Sequence, residues 1–181
     1  SVVASTGDGD VLMAAVITGN ATLGSFSTTV GGSPFNINGG RGDSDILLAK
    51  INAAASVVWV AQFGGNHEED VLHWSTYHDT NTPQAMSLDA DGNAFLCGQF
   101  AGNATFGSFG LTSADHSDVF VAKIDASSGT VLWVMGMGGS STDICTALAL
   151  TTTGDVLVGG QFTGSASFGS FAFTGSTRRG F

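Results

Sequence analysis

Charged side chains are scarce in this chain of 181 residues, and positive charge is scarcer still. Charged residues make up 11% of the sequence, against roughly 25% in typical soluble domains. Five Lys and Arg oppose fifteen Asp and Glu, which gives a formal net charge of −10. Because this charge repels phosphate backbones and anionic lipids, we expect neither nucleic acid nor an anionic membrane surface as a partner.

Long apolar runs and known catalytic motifs are also missing. No apolar run approaches the ~18 residues that span a bilayer, and nothing at Ser1 has the pattern of a signal peptide. We expect any signal peptide to have been removed already or to lie outside this segment. The sequence contains no GxSxG, no P-loop and no Cys-x-x-Cys. We therefore predict that the chain is not an enzyme and needs no cofactor.

The remaining composition favours an exported protein with a core. Gly contributes 27 residues and Pro only 2, Ser, Thr and Asn are frequent, and 43% of the residues are apolar. That apolar fraction is sufficient for a core in a chain of this length. Few Lys and many small polar residues are typical of bacterial extracellular or cell-surface proteins, and this is the localisation that we expect.

A hexapeptide that occurs three times reveals an internal repeat. It reads ATLGSF at 21–26, ATFGSF at 104–109 and ASFGSF at 166–171. A second marker, Asp followed by three apolar residues and Ala-Lys-Ile, stands at 45–51 and again at 118–124. So much ordered agreement does not arise by chance, and it indicates a tandem repeat.

Each Asp-Lys marker is followed by a run that contains Trp and ends in two glycines, VVWVAQFGG and VLWVMGMGG. Lys50 and Lys123 therefore occupy matched positions, as do Trp59 and Trp133. Because these residues recur with the repeat, we expect them to belong to the scaffold and not to a catalytic site.

The third copy, 118–181, predicts strands and no helix. Its apolar runs are short and are bounded by Gly, Ser, Thr and Asp, and none has the periodicity and caps of an amphipathic helix. A hairpin is expected across the Gly-containing loop TTTG. The predicted strands are 118–124, 131–137, 146–150, 155–162 and a last one at about 167–173. We therefore predict an all-β fold of four-stranded antiparallel units.

Together the markers read D-(apolar)3-A-K-I, W, G-G, D-G-N and G-Q-F-x-G-x-A-x-F-G, the last at 98–107 and 160–169. This pattern covers nearly the whole chain and resembles the bacterial β-propeller repeat family called SBBP, found in secreted and surface proteins. The resemblance implies propeller blades, each a four-stranded antiparallel sheet. It implies no particular activity, because the family is defined mainly by its repeat.

We expect about two and a half blades. Residues 1–44 form a partial blade with an inserted loop, 45–117 a full blade with a His-rich insertion at 66–84, and 118–181 a full minimal blade. Since a ring takes roughly 4–8 blades, this ring is expected to be incomplete. The chain is then either a segment of a longer protein or a homo-oligomer, filament or lattice subunit whose sheets are completed by neighbours.

The insertion at 27–44 contains Arg41-Gly42-Asp43, a tripeptide known for integrin recognition. Arg41 and Asp43 are therefore candidate partner-binding residues. The same three common residues also arise by coincidence in a Gly-rich loop, and that simpler interpretation is the one we expect to hold.

The insertion at 66–84 concentrates His and acidic residues. Imidazole with carboxylate suits Zn, Cu or Ni, and carboxylates alone suit Ca. The three His are six and five residues apart, so no pair has the i,i+4 spacing of a helical HExxH site. The alternative is a solvated loop on one rim, in which Trp74 and Tyr77 pack over the blade or contact a ligand. The candidate metal ligands are His67, Glu69, Asp70, His73 and His78.

The two cysteines are Cys97 in the second copy and Cys145 in the third. Strand alternation places them on opposite faces of their blades, so they meet if the blades stack in series. We predict a disulfide between blades, which would also favour export. The alternative is two small buried thiols.

The leading functional hypothesis is a non-catalytic, extracellular β-propeller segment that acts as a structural or binding module for proteins or glycans. Its partners would be other chains or the remaining blades of a longer protein. One alternative is a subunit of a self-assembling filament or lattice. The other is a metal-binding protein or enzyme that uses the His-rich insertion.

Overall fold

The computed structural model describes residues 1–17, 21–23, 26–28, 45–66 and 82–181. Every regular element within these ranges is a β-strand. The described residues accordingly include no helix of the length and apolarity that cross a membrane. The strands, β1 to β13 in chain order, are Val2–Ser5, Val11–Ile17, Ala21–Leu23, Phe26–Thr28, Asp45–Ile51, Val57–Asn66, Thr82–Leu88, Ala94–Phe106, Phe109–Ile124, Val131–Gly139, Ile144–Leu150, Val156–Phe168 and Phe171–Gly180.

Eleven of these strands form one antiparallel sheet that curls into a half-barrel, and β3 and β4 pair separately. Within this sheet, the strands form three antiparallel groups, which we call meanders. The first meander is β1-β2-β5-β6, the second is β7-β8-β9-β10, and the third is β11-β12-β13. The predicted all-β class with antiparallel sheets is confirmed.

The hexapeptide marker forms the tip of a hairpin. Phe168 at the end of β12 pairs with Phe171 at the start of β13, so Gly169-Ser170 is a loop of two residues. Gly169 and its counterpart Gly107 both have a φ of +61°, which is the left-handed conformation that two-residue hairpin loops require. The single strand predicted at 167–173 is therefore wrong, because the chain reverses direction in the middle of it.

These hairpins extend beyond the meanders and join them. We call 103–112 the second arm and 164–175 the third arm. The last strand of the first meander pairs with the second arm, where Phe63 lies opposite Phe106. The last strand of the second meander pairs with the third arm, where Gly139 lies opposite Ala166. Each meander is thus connected to the preceding one by backbone hydrogen bonds.

The meanders also stack face to face through their first strands, since β7 contacts β1, and β11 contacts β7. Successive side chains of a strand point to opposite faces of the sheet. The second meander therefore buries one face against the first meander and the other against the third. The first core lies between the first and second meanders, and the second core is smaller and lies between the second and third. The first core contains Leu12, Ile46, Leu48, Trp59, Phe63, Leu96, Phe100, Phe106, Phe120 and Ile124; the second contains Cys97, Val119, Val121 and Cys145.

The meanders do not coincide with the repeat copies. The sequence predicts that the four strands within 118–162 form one unit, but β9 pairs with β8 and β10 with β9 in the second meander, whereas β11 and β12 belong to the next meander. The boundary predicted between Ser117 and Asp118 falls inside β9. A tandem repeat fixes the period of a structure, but it does not fix the phase at which the strands are grouped into sheets.

The turns that join the first two strands of each meander share one form and lie at one end of the meanders, which we call the turn rim. The first residue of each turn donates its backbone N–H to the carbonyl of the fifth, at 2.8, 3.1 and 2.9 Å respectively. The TTTG hairpin predicted from the sequence is one of them. The turns are 6–10, 89–93 and 151–155.

Candidate functional site

The candidate residues of the two insertions lie outside the described residues, and their predicted roles stay predictions. In the described ranges, no group of three or more His, Cys, Asp or Glu is arranged to hold a metal ion. The residues concerned are Arg41, Asp43, His67, Glu69, Asp70, His73, Trp74, Tyr77 and His78.

Cys97 and Cys145 are brought together in a disulfide bond that joins β8 of the second meander to β11 of the third. Their Cα atoms lie 6.3 Å apart, and both side chains are fully buried beside Val119 and Val121. The bond crosses the interface between stacked sheets, where strand alternation predicts that the two sulfurs meet. It fastens the third meander at the place where the buried core is smallest.

An apolar groove of about 470 Å³ opens beside this small core, between the second and third meanders. The second meander lines it with Val121, Trp133, Met135 and Met137, and the third with Val156, Val158, Phe168, Phe171, Phe173 and Phe181. Phe171 is 68% exposed, Phe173 47% and Met135 46%. Contiguous exposed apolar side chains of this kind mark interaction sites in soluble proteins.

The interface between the first and second meanders contains the same aromatic cluster in closed form. Phe181 pairs with Gly160 as Phe120 pairs with Gly98, so Phe181 is the counterpart of Phe120. The Phe168 and Phe181 rings lie 4.4 Å apart, and those of Phe106 and Phe120 lie 4.7 Å apart. Phe120 is fully buried, whereas Phe181 is 37% exposed.

The closed interface is covered by the strand and turn that follow Phe120. Ala122, Ile124 and Val131 are buried in the first core. The turn between β9 and β10 lies directly against Trp59, because a Cβ added at Gly129 would stand 2.6 Å from the Trp59 ring. The indole N–H of Trp59 donates to the carbonyl of Ala126 in the same turn, at 3.1 Å.

The backbone beside the apolar groove is open as well. In the second meander, the start of β8 pairs with β7 on one side and with β9 on the other. The matched part of β12, 156–159, pairs with β11, and on its other side the ladder with β13 stops at Gly160. Leu157 on this edge is 59% exposed. Among the described residues, the groove therefore combines apolar walls with an unpaired strand edge.

Two buried carboxylates meet at the other side of the same interface. Asp143 is fully buried and Asp118 nearly so, and both accept a hydrogen bond from the backbone N–H of Gly139, at 2.8 and 3.2 Å. Asp143 also accepts from the N–H of Thr163 at 3.2 Å, and Asp118 from that of Ala114 at 3.0 Å. These bonds tie β9, β10 and β12 together, so the carboxylates serve the junction of the meanders.

Burial raises the pKa of Asp143 to about 6, with the charge of Asp118 acting in the same direction and the two backbone N–H groups opposing it. Since this carboxyl holds its proton more tightly in the folded state, stability is expected to fall as the pH rises from about 4 to about 6. We expect a loss on the order of 1–3 kcal/mol from this group, measured as the free energy of unfolding in urea at each pH.

Asp143→Asn isolates this contribution, because the amide cannot ionise and the decline between pH 4 and 6 should become smaller. The comparison uses slopes, since the amide also changes the hydrogen bond with Gly139 at every pH. Asp125 does not interfere, because hydrogen bonds from Ser127 and Ser128 lower its pKa to about 2 and its effect appears only below the window. An unchanged slope in Asp143→Asn would show that the pKa of Asp143 is not raised in the folded protein.

The turn rim carries acidic side chains and the two matched lysines. Lys50 pairs with Asp10 at 3.1 Å and Lys123 with Asp89 at 3.0 Å. A polar cleft of about 500 Å³ separates the 6–10 turn from the 89–93 turn. Both ion pairs link a strand to a turn of the same meander, and Lys50 also donates to the carbonyl of Ala126 in the second meander at 3.4 Å. These contacts agree with a scaffold role for the pair.

The glycine pairs that end the Trp runs are structural positions whose role the sequence pattern alone does not explain. Gly64 and Gly138 have φ values of +155° and +151°, and their faces lie against the carboxylates of Asp45 and Asp118. The next residue, Gly139, lies against the backbone of the third arm. The signal was present in the sequence, since each Asp-Lys marker recurs together with a glycine pair.

A comparison with protein-family models finds no match to this chain, and a comparison with curated proteins finds none either.

Proposed function

We propose that this chain is a non-catalytic structural and binding module of the β-propeller type, and that it binds polypeptide through the apolar groove. The proposal places it in a secreted or cell-surface protein of the SBBP repeat kind. A disulfide in the second core supports export, since such bonds persist in oxidising compartments.

The stacking of the meanders supports the propeller part of the proposal. In a propeller, four-stranded antiparallel sheets are arranged radially around a channel. Here the first strands β1, β7 and β11 follow one another side by side, and a buried core lies between each pair of successive meanders. The curled sheet is compatible with such an arrangement.

The apolar groove is the observation that carries the binding part. Its walls are Phe, Met, Val and Trp, and an unpaired strand edge lies beside it. Main-chain pairing at such an edge gives affinity, and apolar pockets for alternate side chains give specificity. A glycan needs polar partners that these walls lack, so polypeptide is the better ligand.

The groove is expected to bind the hydrophobic dye ANS, and Met135→Ser should reduce the dye fluorescence by removing an apolar wall. Leu132→Ser is the matched control, because Leu132 lies on the same strand and is also 46% exposed but does not line the groove. Dye fluorescence and the thermal unfolding midpoint are measured for both variants. Equal dye binding by the two variants would contradict a binding role for the groove.

Self-assembly is the second candidate function, and the same open edge favours it, since unpaired edges promote association between chains. In that case the groove would be closed by a neighbouring copy, and the solution mass would exceed that of one chain. A monomer at all concentrations in sedimentation experiments would exclude a filament or lattice. The metal-binding alternative rests on the sequence of the His-rich insertion alone, and metal analysis of His73→Ala and His78→Ala tests it.

A further inference from the structure

We infer that Asp118 and Asp143 form a proton-controlled latch at the junction of β10 with the third arm. The latch holds the two together while the carboxyls keep one proton between them, and it loosens when that proton leaves to solvent. We call these two residues the carboxyl pair. The inference concerns how the second and third meanders are joined, and it does not depend on the binding function proposed for the apolar groove.

The geometry of the carboxyl pair places two acidic oxygens in one small space. Oδ1 of Asp118 and Oδ2 of Asp143 both accept from the backbone N–H of Gly139, at 3.2 and 2.8 Å. Both oxygens also face Gly138, where an added Cβ would stand 2.5 Å from the first and 2.6 Å from the second. Two buried carboxyls that share a site favour the state in which one of them keeps its proton.

The carboxyl pair lies among the hydrogen bonds that join the two meanders. Asp143 accepts from the N–H of Thr163 in β12 at 3.2 Å, and its own backbone N–H donates to the carbonyl of Ser117 in β9 at 2.8 Å. Beside it, the N–H of Ser140 donates to the carbonyl of Ser165 in the third arm at 3.0 Å. Because these bonds cross between the meanders, repulsion within the pair acts on the junction itself.

The charges around the carboxyl pair do not neutralise it. Burial raises the pKa of Asp118, and the charge of Asp115 acts in the same direction, against hydrogen bonds from two backbone N–H groups. Strand β8 contributes the neutral side chain of Gln99, which donates to the carbonyl of Asp143 at 3.2 Å. His116 lies two residues before Asp118 and is exposed. Among the described residues, no Lys or Arg shifts the pKa of either carboxyl.

The first junction, where β6 pairs with the second arm, serves as an internal reference. Its Asp45 matches Asp118 in the repeat and accepts from the side-chain amide of Gln62, at 2.7 Å. The residue that matches Asp143 in the second copy is Asn81, which lies outside the described residues. Since an amide does not ionise, the latch is expected at the second junction and not at the first.

Native-state hydrogen exchange of the full chain tests the latch, with protection factors corrected for the intrinsic effect of pH. A proton held more tightly in the joined state stabilises the junction below the ordinary pKa of about 4, and this contribution is lost as the pH rises through about 6. The protection factors of the Ser140 and Asp143 amides should therefore fall by about 10- to 100-fold between those values. Those of 63–66 in β6 should stay constant. Equal behaviour at the two junctions overturns the inference.

Three substitutions separate the pair from a single buried acid. Asp143→Asn should remove most of the pH dependence at the second junction. Asp118→Asn should move its midpoint to lower pH, because the like charge is gone and the new amide can donate to Asp143. Asp155→Asn is the control, since Asp155 is exposed in the 151–155 turn, and it should leave the midpoint unchanged.

An unchanged midpoint in Asp118→Asn would show that Asp143 titrates alone, and the latch of two carboxyls would be wrong. If Asp143→Asn does not fold, the comparison of the two junctions in the wild-type protein still decides, because it needs no substitution.

Discussion

Removal of the disulfide between Cys97 and Cys145 is expected to lower the free energy of unfolding by about 4 kcal/mol. The bond closes a loop of 48 residues, and the chain-entropy account gives about 4 kcal/mol for a loop of that length. The loss of stability is expected to be largest in the third meander, because the second core is small and this meander has few other buried contacts. We therefore expect hydrogen exchange to accelerate in β11 and β12 more than in β5 and β6.

The double variant Cys97→Ala/Cys145→Ala tests this without leaving a single reactive thiol. Urea unfolding of the variant is compared with that of the oxidised and the reduced wild-type protein, and intact mass under native conditions reports the bond itself. The free energies of unfolding of the reduced protein and the double variant should differ only by the cost of the two small cavities that the Cys→Ala substitutions leave. Two free thiols in the native mass, or an unchanged midpoint after reduction, would contradict the prediction.

The repeat made much of the fold predictable. Short apolar runs bounded by Gly and small polar residues indicate strands. Strands β10 and β11 lie close to where the sequence predicts them, whereas β9 begins nine residues earlier than predicted and β12 ends six residues later. The TTTG loop predicts a hairpin, and its turn has the same hydrogen bonds as the two matched turns. The alternation of Cys97 and Cys145 predicts their meeting across stacked sheets, because the side-chain period of a strand is 2.

The grouping of strands could not be predicted in the same way. Every copy offers the same pairing surfaces, so the markers at 45–51 and 118–124 cannot decide whether they start a sheet or continue one. The arms do not follow from the apolar runs, because the two-residue loop Gly-Ser between Phe106 and Phe109 reverses the chain inside what reads as one continuous strand. The apolar groove depends on which strands cover which faces, and that follows only from the three-dimensional arrangement.

The glycine pair shows most directly how a sequence marker becomes a structural requirement. Gly139→Ala is expected to lower the free energy of unfolding by about 3 kcal/mol or more. An added Cβ would lie 1.9 Å from the carbonyl oxygen of Ser165 and 2.9 Å from the Cα of Ala166. Both atoms belong to the backbone of the third arm, so the arm itself must move. The N–H of Gly139 also bonds both buried carboxylates, Asp118 and Asp143, and a shift here would leave them without this donor.

Gly110→Ala is the matched control, because Gly110 lies in strand β9 and a Cβ there would meet nothing within 4 Å. Its free energy of unfolding, measured in urea, should stay within about 0.5 kcal/mol of the wild-type value. Gly65→Ala should reproduce the large loss at the first interface, since its Cβ would lie 1.6 Å from the carbonyl oxygen of Asn103. If Gly139→Ala is as stable as Gly110→Ala, the backbones of β10 and the third arm are not held this close, and the joining of the second and third meanders through the arm would be wrong. If only Gly65→Ala is destabilised, the second arm joins the first two meanders, but the third arm does not join the last two. The apolar groove would then be wider than its walls indicate.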